Sequence, residues 1–314
     1  MTLALLFPGQ GSQYVGMGRL LAEAFPRARE TFEEADDLLG TSLTRVMWEG
    51  PEEELVLTRN AQPAILVHSV AVLRVARDLL EPAAMAAGHS LGEFSAHVAA
   101  GTLSYGDALR AVRRRGELMF EAGEARPGTM AALLGMDDEA VESLCAQTSR
   151  GDDSVVVPAN FNSSGQVVIS GDEEAVARAL EAAPGAGAKK VVPLKVSGAF
   201  HSPLMGPAQV GLRAVLETAE VKAPRFPVFS NVTAGPVEEG GEAVELLVRR
   251  LTSPVRWAAS VGAMVEAGAQ RFVELGPGSV LAGLNRRNAR GIPTVSAGEP
   301  QDLDDLEAFL ATAS

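Results

Sequence analysis

Gly88-His89-Ser90-Leu91-Gly92 joins two segments of different character. It follows the apolar Ala83-Ala84-Met85-Ala86-Ala87 and precedes Glu93-Phe94-Ser95-Ala96-His97-Val98-Ala99-Ala100, so a G-x-S-x-G pattern joins a predicted strand to a predicted helix. A chain that reverses sharply from strand to helix crowds its own backbone, and residues without a Cβ relieve that crowding. Ser90 is then expected at the tip of a tight turn with its hydroxyl projecting. The free N–H groups and positive dipole end of the next helix point at the same place, where an oxyanion would be stabilised. These features together read as a nucleophile.

The surroundings read as an α/β protein. Leu3 to Phe7 is a continuous apolar run, as expected of a strand buried on both faces of a parallel sheet. It empties into Pro8-Gly9-Gln10-Gly11-Ser12-Gln13, which lacks both the Lys-Ser/Thr of a P-loop and G-x-G-x-x-G spacing, so it is read as a loop that brings Gln10 and backbone to a ligand. Helices are expected from Met17 to Leu39 with a break near Pro26, from Asn60 and Pro63 onward, and from Tyr105 to Phe120. Strand signals at Pro227 to Val232 and Arg271 to Leu275 alternate with helices. One of these helices is expected at Val255 to Ala267, with Ser253 as N-cap and Pro254 at N1. Between them, residues 128–194 read as strand, helix, strand, strand, helix, strand, the β-α-β-β-α-β order of a ferredoxin-like unit inserted into a larger domain of residues 1–127 and 195–314.

With 46% apolar residues, 314 residues can bury a large core. A net charge of −13 argues against nucleic acid or an anionic membrane as the main partner. Cys145 is the only cysteine, which excludes an internal disulfide. The N-terminus has no basic region before a short apolar run, and the longest apolar stretch is too short to span a bilayer. A cytoplasmic protein is expected.

A serine needs a base at neutral pH, and four histidines are available: His68, His89, His97 and His201. His68 lies mid-helix and reads as packed. His89 adjoins Ser90 on the turn and projects elsewhere, and His97 lies about two helical turns away, roughly 10 Å. His201 follows a strand in Val196-Ser197-Gly198-Ala199-Phe200-His201-Ser202-Pro203 and is the best candidate, since doubly wound folds place their chemistry at strand ends.

The chain resembles the malonyl-CoA:acyl carrier protein transacylases nearly end to end. The resemblance rests on six motifs in order: Phe7 to Gln13, Gly88 to Glu93, Arg115-Gly116 with Met119, Asn160-Phe161-Asn162-Ser163 with Gly165 to Val168, Phe200 to Met205, and Glu274 to Gly278. It implies an α/β-hydrolase-like core carrying a ferredoxin-like small domain. It further implies transfer of malonyl from coenzyme A to the phosphopantetheine thiol of an acyl carrier protein, in fatty-acid or polyketide biosynthesis. No permanently bound cofactor and no metal are expected. Carried over to this chain, Ser90 takes the acyl group, His201 moves the proton, and the N–H groups of Gln10 and Leu91 form the oxyanion hole. The main-chain carbonyl of Arg250, where a glutamine is more familiar, orients His201. Arg115 clamps the free carboxylate, Phe200 crowds a 2-methyl branch, and Asn162 contacts substrate. An acidic carrier protein would meet a local basic surface, with Arg286, Arg287, Arg290, Lys189 and Lys190 as candidates. The competing readings are a serine hydrolase, including one that proofreads acylated carrier proteins, and a non-catalytic scaffold.

Overall fold

The structure is a computed structural model that describes residues 2–311. Two sheets organise it. The first has six strands in the order β10-β9-β1-β2-β7-β8, comprising β1 (Leu3–Phe7), β2 (Ala83–Gly88), β7 (Val228–Phe229), β8 (Pro236–Val237), β9 (Arg271–Leu275) and β10 (Thr294–Ala297). All its pairings are parallel except β7 with β8. The second is antiparallel in the order β4-β5-β3-β6, with β3 (Gly128–Leu134), β4 (Val156–Ser163), β5 (Gln166–Asp172) and β6 (Lys190–Pro193). Helices Asp138–Thr148 and Glu173–Ala182 fall between β3 and β4 and between β5 and β6, giving the expected β-α-β-β-α-β order.

Strand β1 shows why the parallel sheet forms. All five of its residues are buried. Leu3, Leu5 and Phe7 face a core with Ile65, Leu66 and Phe94, whereas Ala4 and Leu6 face a second core with Met85, Trp257 and Phe272. A strand with apolar contacts on both faces needs no polar alternation, which is what the sequence displays. The small sheet has its own core around Leu133, Val141, Ile169 and Val176.

Several boundaries move. The break at Pro26 is a new helix start, Pro26–Leu39, directly after Arg19–Ala24. The helix Arg19–Ala24 buries Leu21 and Ala22 and leaves Leu20 exposed. The helix expected from Asn60 and Pro63 begins earlier and runs Thr58–Val75 with Pro63 inside it. Proline there removes the N–H that would serve the carbonyl of Arg59. Arg113 Nη1 donates to that carbonyl at 3.1 Å and ties this helix to Tyr105–Ala125. The helix expected at Val255 starts only at Trp257, after Arg256 at the N-cap position. The reason is that Val255 is spent on strand pairing: its N–H donates to Ala159 O and its carbonyl accepts from Phe161 N, stitching β4 to the larger sheet's helical layer. Among the described residues no helix is long and apolar enough to cross a membrane.

Candidate active site

Register places two loops side by side. Phe7 pairs with Gly88 at the carboxyl ends of β1 and β2, and His89 N–H donates to Phe7 O at 2.9 Å. The loop after β1 therefore lies against the turn after β2, in the crevice at strand ends where open α/β sheets hold ligands. The turn is tight enough that a Cβ on Gly88 would stand 1.9 Å from Gly92 C, and one on Gly92 would stand 2.2 Å from Phe7 O. Ser90 sits at its tip with φ of 50°, a left-handed conformation that costs energy for a residue with a Cβ. Asn231, just after β7, fastens the turn: its Oδ1 accepts from Ser90 N–H at 2.8 Å and its Nδ2 donates to Gly88 O at 2.8 Å.

His201 reaches Ser90 from a different source than expected. It leaves β6 of the antiparallel sheet, not a strand of the parallel one, and it also has positive φ, at 58°. Its Nε2 lies 2.8 Å from Ser90 Oγ and its Nδ1 lies 3.0 Å from the carbonyl of Arg250. A carbonyl only accepts, so Nδ1 carries the proton and Nε2 is a bare acceptor for the serine hydroxyl. Burial, and then the charge of Arg115, push the His201 imidazole down to about 3, so it is neutral at pH 7.

Arg115 is 1% exposed, on the inward face of the helix Tyr105–Ala125, while Arg113 and Arg114 pair outward with Glu117. Its Nη1 donates to Gln62 Oε1 at 2.5 Å and its Nη2 to Ser90 Oγ at 3.3 Å. Burial first, and repulsion by Arg250 second, disfavour its charged form, against attraction from Glu93. Guanidinium stays protonated through such pressure, so the site holds a cation short of a counter-charge.

These groups line a cleft of about 340 Å³ whose walls come from both sheets: Gln10, Ser90, Leu91 and Arg115 on one side, Met130, Asn160, Leu194 and Phe200 on the other. Larger grooves exist elsewhere, one of about 770 Å³ lined by Arg74, Arg77 and Arg225, and that one contains none of these groups. Among the described residues neither the N–H of Gln10 nor that of Leu91 has a protein acceptor, and both residues border the cleft. The Gln10 side chain is held off by Thr58, whose Oγ1 accepts from Nε2 at 3.2 Å. The arrangement can deprotonate a hydroxyl, stabilise an oxyanion and bind a carboxylate within one small volume.

Residues 4–312 match the acyl transferase domain family. The malonyl CoA-acyl carrier protein transacylase of Bacillus subtilis is 45% identical over 302 residues, 96% of this chain and 95% of that protein. The Escherichia coli K12 protein of the same name is also 45% identical over 302 residues, covering 96% and 97%. The chain belongs to the malonyl-CoA:acyl carrier protein transacylases. Solved members superpose closely. The acyl-carrier-protein-S-malonyltransferase of Bartonella henselae has a TM-score of 0.94 at 41% identity, covering 99% of this chain and 100% of that one. A malonyl-transacylase solved in complex with its type II PKS acyl-carrier protein has a TM-score of 0.92 at 42% identity, covering 98% and 100%.

Within this transacylase, the remaining candidates from the sequence take different positions. Phe200 is buried on the cleft wall beside His201. Asn162 is turned away from the wall: its Oδ1 lies 2.9 Å from His89 Nε2, and its carbonyl accepts from Asn288 Nδ2 at 2.8 Å, while Asn160 takes the lining position. Lys189, Lys190, Arg286, Arg287 and Arg290 are exposed and lie outside the cleft lining. His68 and His97 are fully buried away from the cleft lining. Sequence reasoning missed Asn231, Gln62 and the side chain of Arg250, whose Nη1 donates to Glu93 Oε2 at 2.8 Å with both side chains fully buried. The available signal was Glu93 itself, a carboxylate among Leu91, Phe94 and Ala96 on a helix that is otherwise buried. Among the described residues no group of three or more His, Cys, Asp or Glu side chains is placed to hold a metal ion.

Proposed function

We propose that Ser90 relays a malonyl group from coenzyme A to the phosphopantetheine thiol of an acyl carrier protein. The observation that carries this reading is Arg115 Nη2 standing 3.3 Å from the same hydroxyl that His201 Nε2 meets at 2.8 Å. A nucleophile paired with a base serves any acyl group; a buried cation beside it serves one that brings its own carboxylate.

In the first half-reaction Ser90 Oγ gives its proton to His201 Nε2 and attacks the thioester carbonyl. The imidazolium formed is held by the Arg250 carbonyl at Nδ1, and the tetrahedral oxyanion is held by the N–H groups of Gln10 and Leu91. Collapse expels the coenzyme A thiolate, which takes the proton back from Nε2. The carrier-protein thiol then repeats the steps in reverse order and leaves Ser90 free. Through both halves Arg115 binds the malonyl carboxylate, and each charge-assisted bond contributes about 1.5–3 kcal/mol. Acetyl leaves the guanidinium unmatched. Phe200 narrows the wall against a 2-methyl branch, and Asn162 acts through His89.

We read residues 128–194 as a small unit that closes one side of the cleft on a larger unit of residues 1–127 and 195–314. The exposed Lys189, Lys190, Arg286, Arg287 and Arg290 form the basic surface for the acidic carrier protein. The reading places the chain in the cytoplasm, in fatty-acid or polyketide synthesis. Hydrolysis of neutral acyl chains gives Arg115 no use. Incubation with malonyl-CoA and a holo carrier protein tests the proposal: malonyl appears on the carrier thiol, whereas release of free malonate without carrier loading refutes it.

A further inference from the structure

The Ser90–His201 pair is assembled from parts far apart in sequence, and one buried ion pair touches both halves. Glu93 stands on the first turn after Ser90, in the helix Gly92–Ala99, and its Oε2 accepts from Arg250 Nη1 at 2.8 Å and from Asn231 N–H at 3.1 Å. Asn231 in turn holds Ser90 N–H and Gly88 O. Arg250 presents its carbonyl to His201 Nδ1 at 3.0 Å from the C-terminal cap of the helix Gly240–Arg249, while its guanidinium lies 5.3 Å over the Phe94 ring. One residue thus holds the histidine with its main chain and the serine turn, through Glu93, with its side chain.

Burial makes this connection stiff. Glu93 and Arg250 are both 0% exposed, so their attraction is little screened, and neither can leave the other without stranding a charge in a dry interior. A hydrogen bond from His201 to a carbonyl orients the ring only as well as that carbonyl is itself fixed. At a helix end the main chain has fewer bonds to hold it than in the middle of the helix. Apart from His201, the Arg250 carbonyl accepts only a long bond from Ser253 N–H at 3.3 Å, so the side-chain anchor adds a constraint to a lightly held group.

We propose that Glu93 and Arg250 are positioning residues for acyl transfer, their ion pair locking the carbonyl that orients His201 to the turn that carries Ser90. The inference rests on the acyl-transfer reading above. It assigns the Arg250 side chain a task separate from that of its carbonyl, which any residue at the position would offer.

The double variant Glu93→Gln/Arg250→Gln removes both charges together, so it strands neither, and it leaves the main-chain carbonyl in place. Steady-state transfer from malonyl-CoA and ¹⁵N spectra of the His201 ring are the two measurements. The expected result is a kcat about tenfold or more below the parent, KM for malonyl-CoA within about twofold, and a His201 ring that changes from one tautomer, protonated at Nδ1, to a mixture. A double variant with parental kcat and an unchanged single tautomer overturns the proposal, and so does a loss confined to KM.

Arg250→Lys keeps a cation opposite Glu93 and serves if the double variant does not fold. It is expected to retain more than a tenth of the parental kcat and the single tautomer. A folded lysine variant below a tenth, with the tautomer still single, contradicts the assignment. The ring spectrum needs no turnover: a parent chain that takes up no malonyl sinks the acyl-transfer reading, whereas an unaltered spectrum in the double variant sinks this one.

Discussion

Arg115 and Gln62 form a buried pair, with Arg115 Nη1 donating to Gln62 Oε1 at 2.5 Å and the amide's Nε2 turned to Met119 Sδ at 3.4 Å. The amide orients the guanidinium without neutralising it, and the second nitrogen, Nη2, is left on Ser90 Oγ. A counter-ion there would fill the place that the proposed clamp keeps for the substrate's carboxylate. Arg115→Ala should therefore lower malonyl uptake by about a hundredfold or more, as expected for two charge-assisted bonds, while acetyl uptake stays level or rises. Parallel acylation rates with malonyl-CoA and acetyl-CoA check this, and equal losses with both donors would count against the clamp.

The depressed basicity of His201 fixes a pH profile. Its imidazole is pushed down to about 3 by burial and the Arg115 charge, so the neutral form that accepts the serine proton persists well below the ordinary histidine value of 6.5. The rate of Ser90 acylation in a single turnover should stay level between about pH 5 and 8. A half-loss centred near 6.5 would show an unperturbed histidine.

Stability should respond to acid in the opposite sense. His68 is pushed down to about 4 and His97 to about 3, both chiefly by burial. The unfolded chain binds these protons near 6.5 and the folded chain does not, so stability is full above that pH and falls as pH drops from about 6.5 toward 3. Among the described residues neither ring nitrogen of His97 has a hydrogen-bond partner. His97→Leu should raise stability by about 1–3 kcal/mol and flatten the acid slope, as urea titrations at pH 7 and 5 would reveal. A destabilised leucine variant would indicate a partner for the ring.

Gly92→Ala tests the elbow by packing alone. The added methyl would stand 2.2 Å from the Phe7 carbonyl, which belongs to the central strand and cannot yield without disturbing its pairing with β2 and β9. Overpacking on this scale costs about 3 kcal/mol, so the midpoint of urea unfolding should fall sharply. An alanine variant of parental stability would mean that the turn is looser than its geometry.

Much of this architecture was legible because it is local. The run Leu3 to Phe7 declared a doubly buried strand, and the β-α-β-β-α-β order followed from periodicity within one stretch. The two loops that meet at Ser90 sit at strand ends that composition marks with glycine. What escaped is long-range. Glu93 and Arg250 are 157 positions apart, and Asn231 is 141 from Ser90, separations across which no periodicity carries information. Val255 carried a helix-start signal, Ser-Pro, yet its backbone groups went to β4, a tertiary demand that local propensity cannot register. Asn160 and Asn162 illustrate the same limit at short range. Irregular pairing of β4 with β5 before Asn160 and again around Asn162 separates the two, with Asn160 on the cleft and Asn162 at His89.

In the proposed transfer malonyl rests on Ser90 between two thiols. Mass spectrometry of the protein after exposure to malonyl-CoA, with the peptide carrying Ser90 sequenced, tests it most directly. One malonyl ester is expected, on Ser90, stable in water and discharged on addition of a holo acyl carrier protein. An adduct on any other residue, no adduct at all, or an ester lost to water as fast as it forms would contradict it.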